Sequence, residues 1–373
     1  MKILFSLVRC LLLSGCLAVA ATAQVNAAGP GDYELLHLHL KSRMFISDDC
    51  SAGAILAMLD GNIIYEEYLG SAHRGPGAAP INGDSRFPFY SISKGFGSAV
   101  LLSLISDGLI GLDDPVNKYL PHFSGPGPQG KFLREHLKVR HLASHSSGIP
   151  QDDSPPRRYE GRQVFEDVAL EFEPGTGFLY SELAMRVLGQ VLEVAAGKRY
   201  EVLLQERVLG PLGLSSVGYL DKGQDTVNVV HTCRGPDSSY IAYSDEFAPK
   251  PYPGSGLYGS VRDIARYARL WLDGGRVGKK VIFKQELINQ AWNTQPEDRE
   301  PDPDYGLLFW LFPQAGAKVI SGAAHTICTI LPENNMLVVM GLNQRGGGAG
   351  WDFESEKLNL SRVAHAIYER LER

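Results

Sequence analysis

The chain has 373 residues, with 36 lysines and arginines against 42 aspartates and glutamates, a formal net charge of −6. That length exceeds the usual ~100–200 residues of one domain without demanding three, and 44% hydrophobic with 21% charged residues suits a folded globular protein. The acidic balance and the lack of a basic run argue against nucleic-acid binding, which needs a cationic footprint to displace counterions.

Lys2 and Arg9 are the only charges before Asp32, Cys10 to Ala20 is almost wholly apolar, and Ala21-Thr22-Ala23 offers small residues for cleavage. This pattern predicts an export signal over residues 1–23, a mature chain over 24–373, and a periplasmic or secreted protein. Leu13-Ser14-Gly15-Cys16 also fits a lipoprotein cleavage box, but it leaves a short apolar core, so a lipid anchor at Cys16 is the second choice. The apolar run is shorter than the ~20 residues of a membrane span. The mature cysteines are Cys50, Cys233 and Cys328. An odd number allows at most one intramolecular disulfide, and sequence does not choose the pair.

A leading helix is predicted over Asp32 to Phe45. Ala52–Leu59 and Ile63–Leu69 then read as strands around an Asp60-Gly61 hairpin turn, where glycine accepts positive φ. From Lys94 to Ile110 the chain is apolar nearly all round, the mark of a helix inside a larger core, ended by Asp107-Gly108. Gly95 and Gly97 sit in its first turns at a cost of ~1 kcal/mol each against alanine, so another element must approach closely there. Leu137 to Pro150 reads as a short helix with His141 and His145 four apart on one face. The residues between them supply no glutamate base and no third ligand suggests itself, so no metal is expected and the histidines are taken as structural.

Ser181 caps a helix with the stripe Leu183, Val187, Leu188, Val191 and Leu192, closed by Gly197. A further helix, Tyr200 to Val208, is expected to stop at Gly210-Pro211. Ser260 caps another, with Asp263 placed to complete a capping box. Trp310–Phe312, Lys318–Ile320, Thr326–Leu331 and Met336–Leu342 read as strands, a Gly346–Gly350 loop follows, and Leu358–Leu371 is a closing helix. Strands, a helical block, more strands and a last helix predict an α+β protein. Its antiparallel sheet is flanked by helices, with a sheet subdomain at about 32–90 and 250–373 and an inserted, mostly helical one at about 91–249.

The chemistry centres on Ser91-Ile92-Ser93-Lys94 at the start of the apolar helix. Serine is a weak nucleophile until a base takes its proton, and a lysine serves if its site lowers its pKa. Positions i and i+3 lie on one helical face, and the helix start offers free N–H groups to an oxyanion. A tyrosine on a neighbouring loop is a fair second proton handler.

With Leu109-Ile110-Gly111-Leu112-Asp113-Asp114-Pro115 behind it, this stretch resembles the serine β-lactamase superfamily: class C β-lactamases, D-alanyl-D-alanine carboxypeptidases and β-lactamase-like esterases and amidases. Further matches are Arg140-His141-Leu142 to Gly148-Ile149-Pro150, Pro174-Gly175-Thr176 to Tyr180-Ser181, Pro211-Leu212-Gly213-Leu214, and Gly256-Leu257 to Ser260-x-x-Asp263-Ile264-Ala265. The resemblance covers roughly Ser51 to Asn343. It implies a β-lactamase/transpeptidase-like fold and a serine hydrolase without cofactor, acting on a small-molecule ester or amide. It also implies Ser91 as the acylated nucleophile, Lys94 as its proton partner and Tyr180 as base or proton shuttle.

Two departures stand out. The family's Tyr-x-Asn element has Glu182 in third place, a carboxylate that would pair with Lys94, raise its pKa and repel anionic substrates. The family's Lys/His-Thr-Gly strand is missing. His325-Thr326-Ile327 is one register for it. The preferred register is Ser321-Gly322-Ala323-Ala324, with Ala323 giving the second oxyanion N–H beside Gly322. A β-lactamase or carboxypeptidase, and a non-catalytic binding or sensor protein on this fold, are the competing readings.

Overall fold

The computed structural model describes residues 30–46, 50–126, 130–151, 168–224, 226–233, 239–241, 251–295, 304–344 and 353–372. The export signal, Cys16 and the Gly346–Gly350 loop fall outside the described residues.

In chain order, helix α1 (Glu34–Ile46) leads into strands β1 (Ala52–Leu59) and β2 (Asn62–Gly70), joined by Asp60 at φ 49° and Gly61 at φ 81°. Two left-handed residues in a row make the tight turn whose twist matches the strands. Strand β3 (Phe87–Pro88) precedes α2 (Ser93–Ser106). The middle of the chain holds α3 (Val139–Ala143), α4 (Glu182–Ala196), α5 (Tyr200–Leu204) and α6 (Gly210–Leu212), then short strands β4 (Gly218–Tyr219), β5 (Thr232–Cys233), β6 (Ser239–Tyr240) and β7 (Leu257–Gly259). There follow α7 (Val261–Leu272), β8 (Arg276–Val277), β9 (Lys280–Val281) and α8 (Glu286–Ala291). The chain closes with β10 (Trp310–Phe312), β11 (Ala317–Gly322), β12 (Thr326–Leu331), β13 (Met336–Leu342) and α9 (Phe353–Leu371).

The main sheet is antiparallel with order β10-β11-β12-β13-β1-β2, so first and last strands meet in its middle, Gly53 facing Leu342 and Leu59 facing Met336. Side chains alternate between faces of a strand, and here both faces are buried. Ala54, Leu56 and Met58 join one core with Phe96, Val100 and Tyr267, while Ile55, Ala57 and Leu59 join a second with Leu36, Leu40, Leu360 and Ala364. Helices α1 and α9 therefore cover one side, and α2, α7 and the helical middle cover the other. Cys328 is fully buried in the first core, and all three described cysteines are free thiols. No helix among the described residues is long and apolar enough to cross a membrane.

Two expected helices differ. The run from Tyr200 does not stop at Gly210-Pro211: a π turn, Gln205–Leu209, carries it on to Leu212, and Gly213 at φ 66° ends it. The wider turn makes room for a proline that lacks an N–H. The helix carrying His141 ends at Ala143, and His145 has turned to φ 55°. The two histidines therefore do not share a helical face.

Candidate active site

A short sheet, β3-β7-β4, sets up the site. Phe87 pairs with Gly259 and Pro88 with Tyr258, and the Phe89 N–H donates to the Leu257 carbonyl at 2.8 Å. Tyr90 then takes φ 44°, a conformation costing a tyrosine about 1–3 kcal/mol. Its hydroxyl is held by Thr232 Oγ1 at 3.0 Å and Tyr240 at 3.4 Å. This kink throws Ser91 into a single 3₁₀ turn, Tyr90–Ile92, immediately ahead of α2.

Lys94, one turn on, is 1% exposed. Its Nζ donates to Ser91 Oγ at 3.0 Å, to the Gly254 carbonyl at 3.0 Å and to Glu182 Oε1. The Tyr180 ring lies 4.7 Å from the same nitrogen, which sets this side chain beside the Ser91–Lys94 pair. Burial works against the charge on Lys94, but the Glu182 carboxylate and Tyr180 outweigh it and hold the amine above the usual lysine range. The lowered pKa that a lysine base requires is therefore not found. Burial is also the largest influence on Tyr180 and raises its pKa against the pull of the Lys94 cation. At rest the site holds an ammonium, a phenol and a carboxylate.

Three features fix these groups, and of them the sequence pointed only to a close approach at Gly97. Gly97 on α2 and Gly189 on α4 form a slot for Pro253: a Cβ at either glycine would lie 2.7 or 2.9 Å from the proline ring. The slot delivers the next residue, Gly254, to Lys94. The expected close approach at Gly95 is also met, by Ile320 of β11. Tyr252, in the same loop, donates its hydroxyl to Glu182 Oε2 at 2.9 Å. His145, fully buried, brackets Tyr180 on both sides. Its carbonyl accepts the Leu179 N–H at 2.8 Å, its Nδ1 accepts the Ser181 N–H at 3.1 Å, and its ring lies 4.2 Å from that of Tyr180. Trp310, at the start of β10, stacks parallel to Tyr180 at 5.9 Å. Only glycine spacing in the sequence hinted at the slot, and nothing local marks the other two.

Ser181 caps α4 as expected, accepting the Ala184 N–H at 3.0 Å, and Gly197 closes it at φ 64°. Opposite Ser91, β11 ends at Gly322, where a side chain would strike the Phe89 carbonyl at 2.1 Å. Ala323 is exposed in the turn that follows, and His325, at φ 60° and buried, completes the turn to β12. The end of β11 thus lies against the nucleophile turn, and Thr326, at the start of β12, reaches the Pro88 carbonyl with its hydroxyl at 3.5 Å.

A beta-lactamase family model matches residues 43–358. The chain belongs to the beta-lactamase family. Among curated relatives, the Esterase EstB of Burkholderia gladioli is 27% identical over 245 residues, spanning 55% of this chain and 62% of that esterase. The D-alanyl-D-alanine-carboxypeptidase/endopeptidase AmpH of Escherichia coli K12 is 27% identical over 280 residues, 71% of this chain and 69% of that enzyme. A mutant class C beta-lactamase superposes with a TM-score of 0.74 at 15% identity, covering 92% of this chain and 99% of its own. The fold is thus that of the beta-lactamase and penicillin-binding proteins, and the chain is a beta-lactamase-family serine hydrolase.

Proposed function

We propose that this is an exported hydrolase that cleaves an ester or amide through a covalent acyl-Ser91 intermediate. The observation that carries the reading is the convergence of Ser91, Lys94 and Tyr180, with Lys94 Nζ 3.0 Å from Ser91 Oγ and 4.7 Å from the Tyr180 ring. Ser91 Oγ attacks the carbonyl carbon. Its proton passes to Tyr180 while Tyr180 hands its own to the leaving group, which departs as an alcohol or amine. Lys94, held cationic, donates to Ser91 and lies beside the Tyr180 ring, so its charge stabilises the negative charge each carries in transit. The N–H groups of Ser91 and Ala323 receive the carbonyl oxygen as it becomes an oxyanion. Water then enters by the same route and releases the acid. The N-terminal charges and apolar run support export, with cleavage near Ala23, and the site lies where the sheet and helical subdomains meet.

Similarity to AmpH supports a second reading, a carboxypeptidase, beside the β-lactamase that the family resemblance also allows. One experiment separates them: the mature protein and Ser91→Ala are incubated with a fluorophosphonate probe, a fluorescent penicillin and a short-chain nitrophenyl ester. Ester turnover and fluorophosphonate labelling that both vanish in the variant are expected. Penicillin labelling without ester turnover points to the second reading. No Ser91-dependent labelling by any probe overturns the enzyme reading and leaves a binding protein.

A further inference from the structure

The Lys94–Glu182 pair is uneven in its exposure. The lysine side chain is 2% exposed and the glutamate 25%. A molecule entering the cleft therefore meets the carboxylate, while the ammonium sits behind it, its hydrogens committed to Ser91, Gly254 and Glu182. Tyr252 fixes the outer carboxylate oxygen, so Glu182 cannot swing away without losing two partners. The pair is neutral in sum, and its accessible half is negative; the Arg186 guanidinium, one turn further along α4, is spent on the face of the Tyr252 ring at 4.4 Å. Next to the pair stands an aromatic wall. Trp310 stacks on Tyr180, Phe178 lies 6.1 Å from Trp310, and all three rings are half-buried. Tyr305 closes edge-on against Trp310 at 4.9 Å. Such a wall gains free energy by covering apolar surface; the cation against it, Lys357, sits 3.5 Å from the Trp310 ring and is fully buried, so it presents no charge to an entering carboxylate.

Resting on the acyl-serine reading above, we propose that the site selects esters whose acyl chain is uncharged and apolar, and rejects acyl chains bearing a carboxylate. Glu182 sets the charge rule, and the Phe178–Trp310 wall seats the chain. Glu182 is thus both the positioning residue of Lys94 and a specificity-determining residue. In a partly desolvated cleft, like charges a few ångströms apart discriminate by about 10- to 100-fold.

The test uses the mature full chain and two esters of equal acyl length, p-nitrophenyl butyrate and mono-p-nitrophenyl succinate. The wild-type protein is expected to prefer butyrate by at least about tenfold in kcat/KM. Glu182→Gln keeps one oxygen to accept from Lys94 and turns its NH2 toward the Tyr252 hydroxyl, which can accept instead of donate, but removes the charge. It is expected to shrink that ratio by about tenfold, whatever it does to the two rates separately. Trp310→Ala is expected to raise KM for butyrate more than for acetate. Equal use of the two esters by the wild-type protein, or an unchanged ratio in Glu182→Gln, overturns the proposal. Should Glu182→Gln not fold, the wild-type ratio is measured from low to 1 M salt, where screening must narrow it; a constant ratio overturns the proposal. Ser91-dependent turnover without charge preference defeats this inference alone, whereas absence of Ser91-dependent turnover defeats the hydrolase reading beneath it.

Discussion

The two walls of the cleft are built by different means. The Ser91–Lys94 wall is held by main chain and core. Strand β3 pairs with β7, Phe89 is bonded to Leu257, and α2 is buried from Ser93 to Leu104. The Tyr180–Glu182 wall is held by side chains from elsewhere: His145 on Ser181, Tyr252 on Glu182, and Gln151 Oε1 accepting the Glu182 N–H at 3.0 Å. A wall tied into the core resists change, because altering it disturbs folding. A wall tied by a few side-chain bonds can be retuned with little cost to stability, and one of the two departures read in the sequence, Glu182, lies on it, while the other lies on β11 of the main sheet.

This contrast makes rate and stability separable. Tyr180→Phe should lower kcat by about 10²–10⁴-fold with the melting temperature nearly unchanged; a melting temperature that falls with the rate would place Tyr180 on the structural side. His145 offers a finer probe. Burial, and secondarily the Lys94 charge, hold its imidazole well below the ordinary 6.5. A proton on Nδ1 would displace the Ser181 N–H, and the groups facing the ring are Lys94, Tyr180 and Tyr305. Because the unfolded chain takes up that proton and the folded chain does not, the stability is complete above pH 6.5. It is lost by up to about 1.4 kcal/mol per unit as pH falls from there toward the folded value. Asparagine keeps an acceptor and tolerates positive φ. His145→Asn should therefore retain most of kcat and flatten the acid limb of the melting curve, whereas His145→Phe should lose about 10- to 100-fold in kcat.

On the core side, Gly97→Ala should cost about 1–3 kcal/mol in urea unfolding, because its Cβ meets Pro253 at 2.7 Å. It should also lower kcat by pushing the Gly254 carbonyl off Lys94. The smallest effect is expected far from the cleft. Ser260 and Asp263 cap α7 reciprocally, and Ser260→Ala should cost about 1 kcal/mol with kcat intact.

The same division explains what could be read from the chain beforehand. Features fixed within a few residues were legible: the Asp60-Gly61 turn, the Ser260/Asp263 box, the Ser181 cap and the all-round apolar α2. The strands β3, β4 and β7, two or three residues long, carry no period to detect. Proline after glycine reads as a stop, and only the π turn before it shows how the helix continues. At the site, Ser91, Lys94, Tyr180 and Glu182 were legible by motif, and they converge. The groups that hold them, His145, Tyr252 and Gly254, arrive from segments unrelated by spacing. Their role appears only when three distant loops meet.

The placement of β1 between β2 and β13 governs the order of events during synthesis. The first hairpin leaves the ribosome with one edge of β1 bare, and its partner is among the last segments to be made. Sheet closure therefore waits on long-range pairing, the slow kind. Strand β11, which walls the cleft, is docked only then. The nascent chain carries Ser91 and Lys94 early but has no finished pocket around them until translation is nearly over.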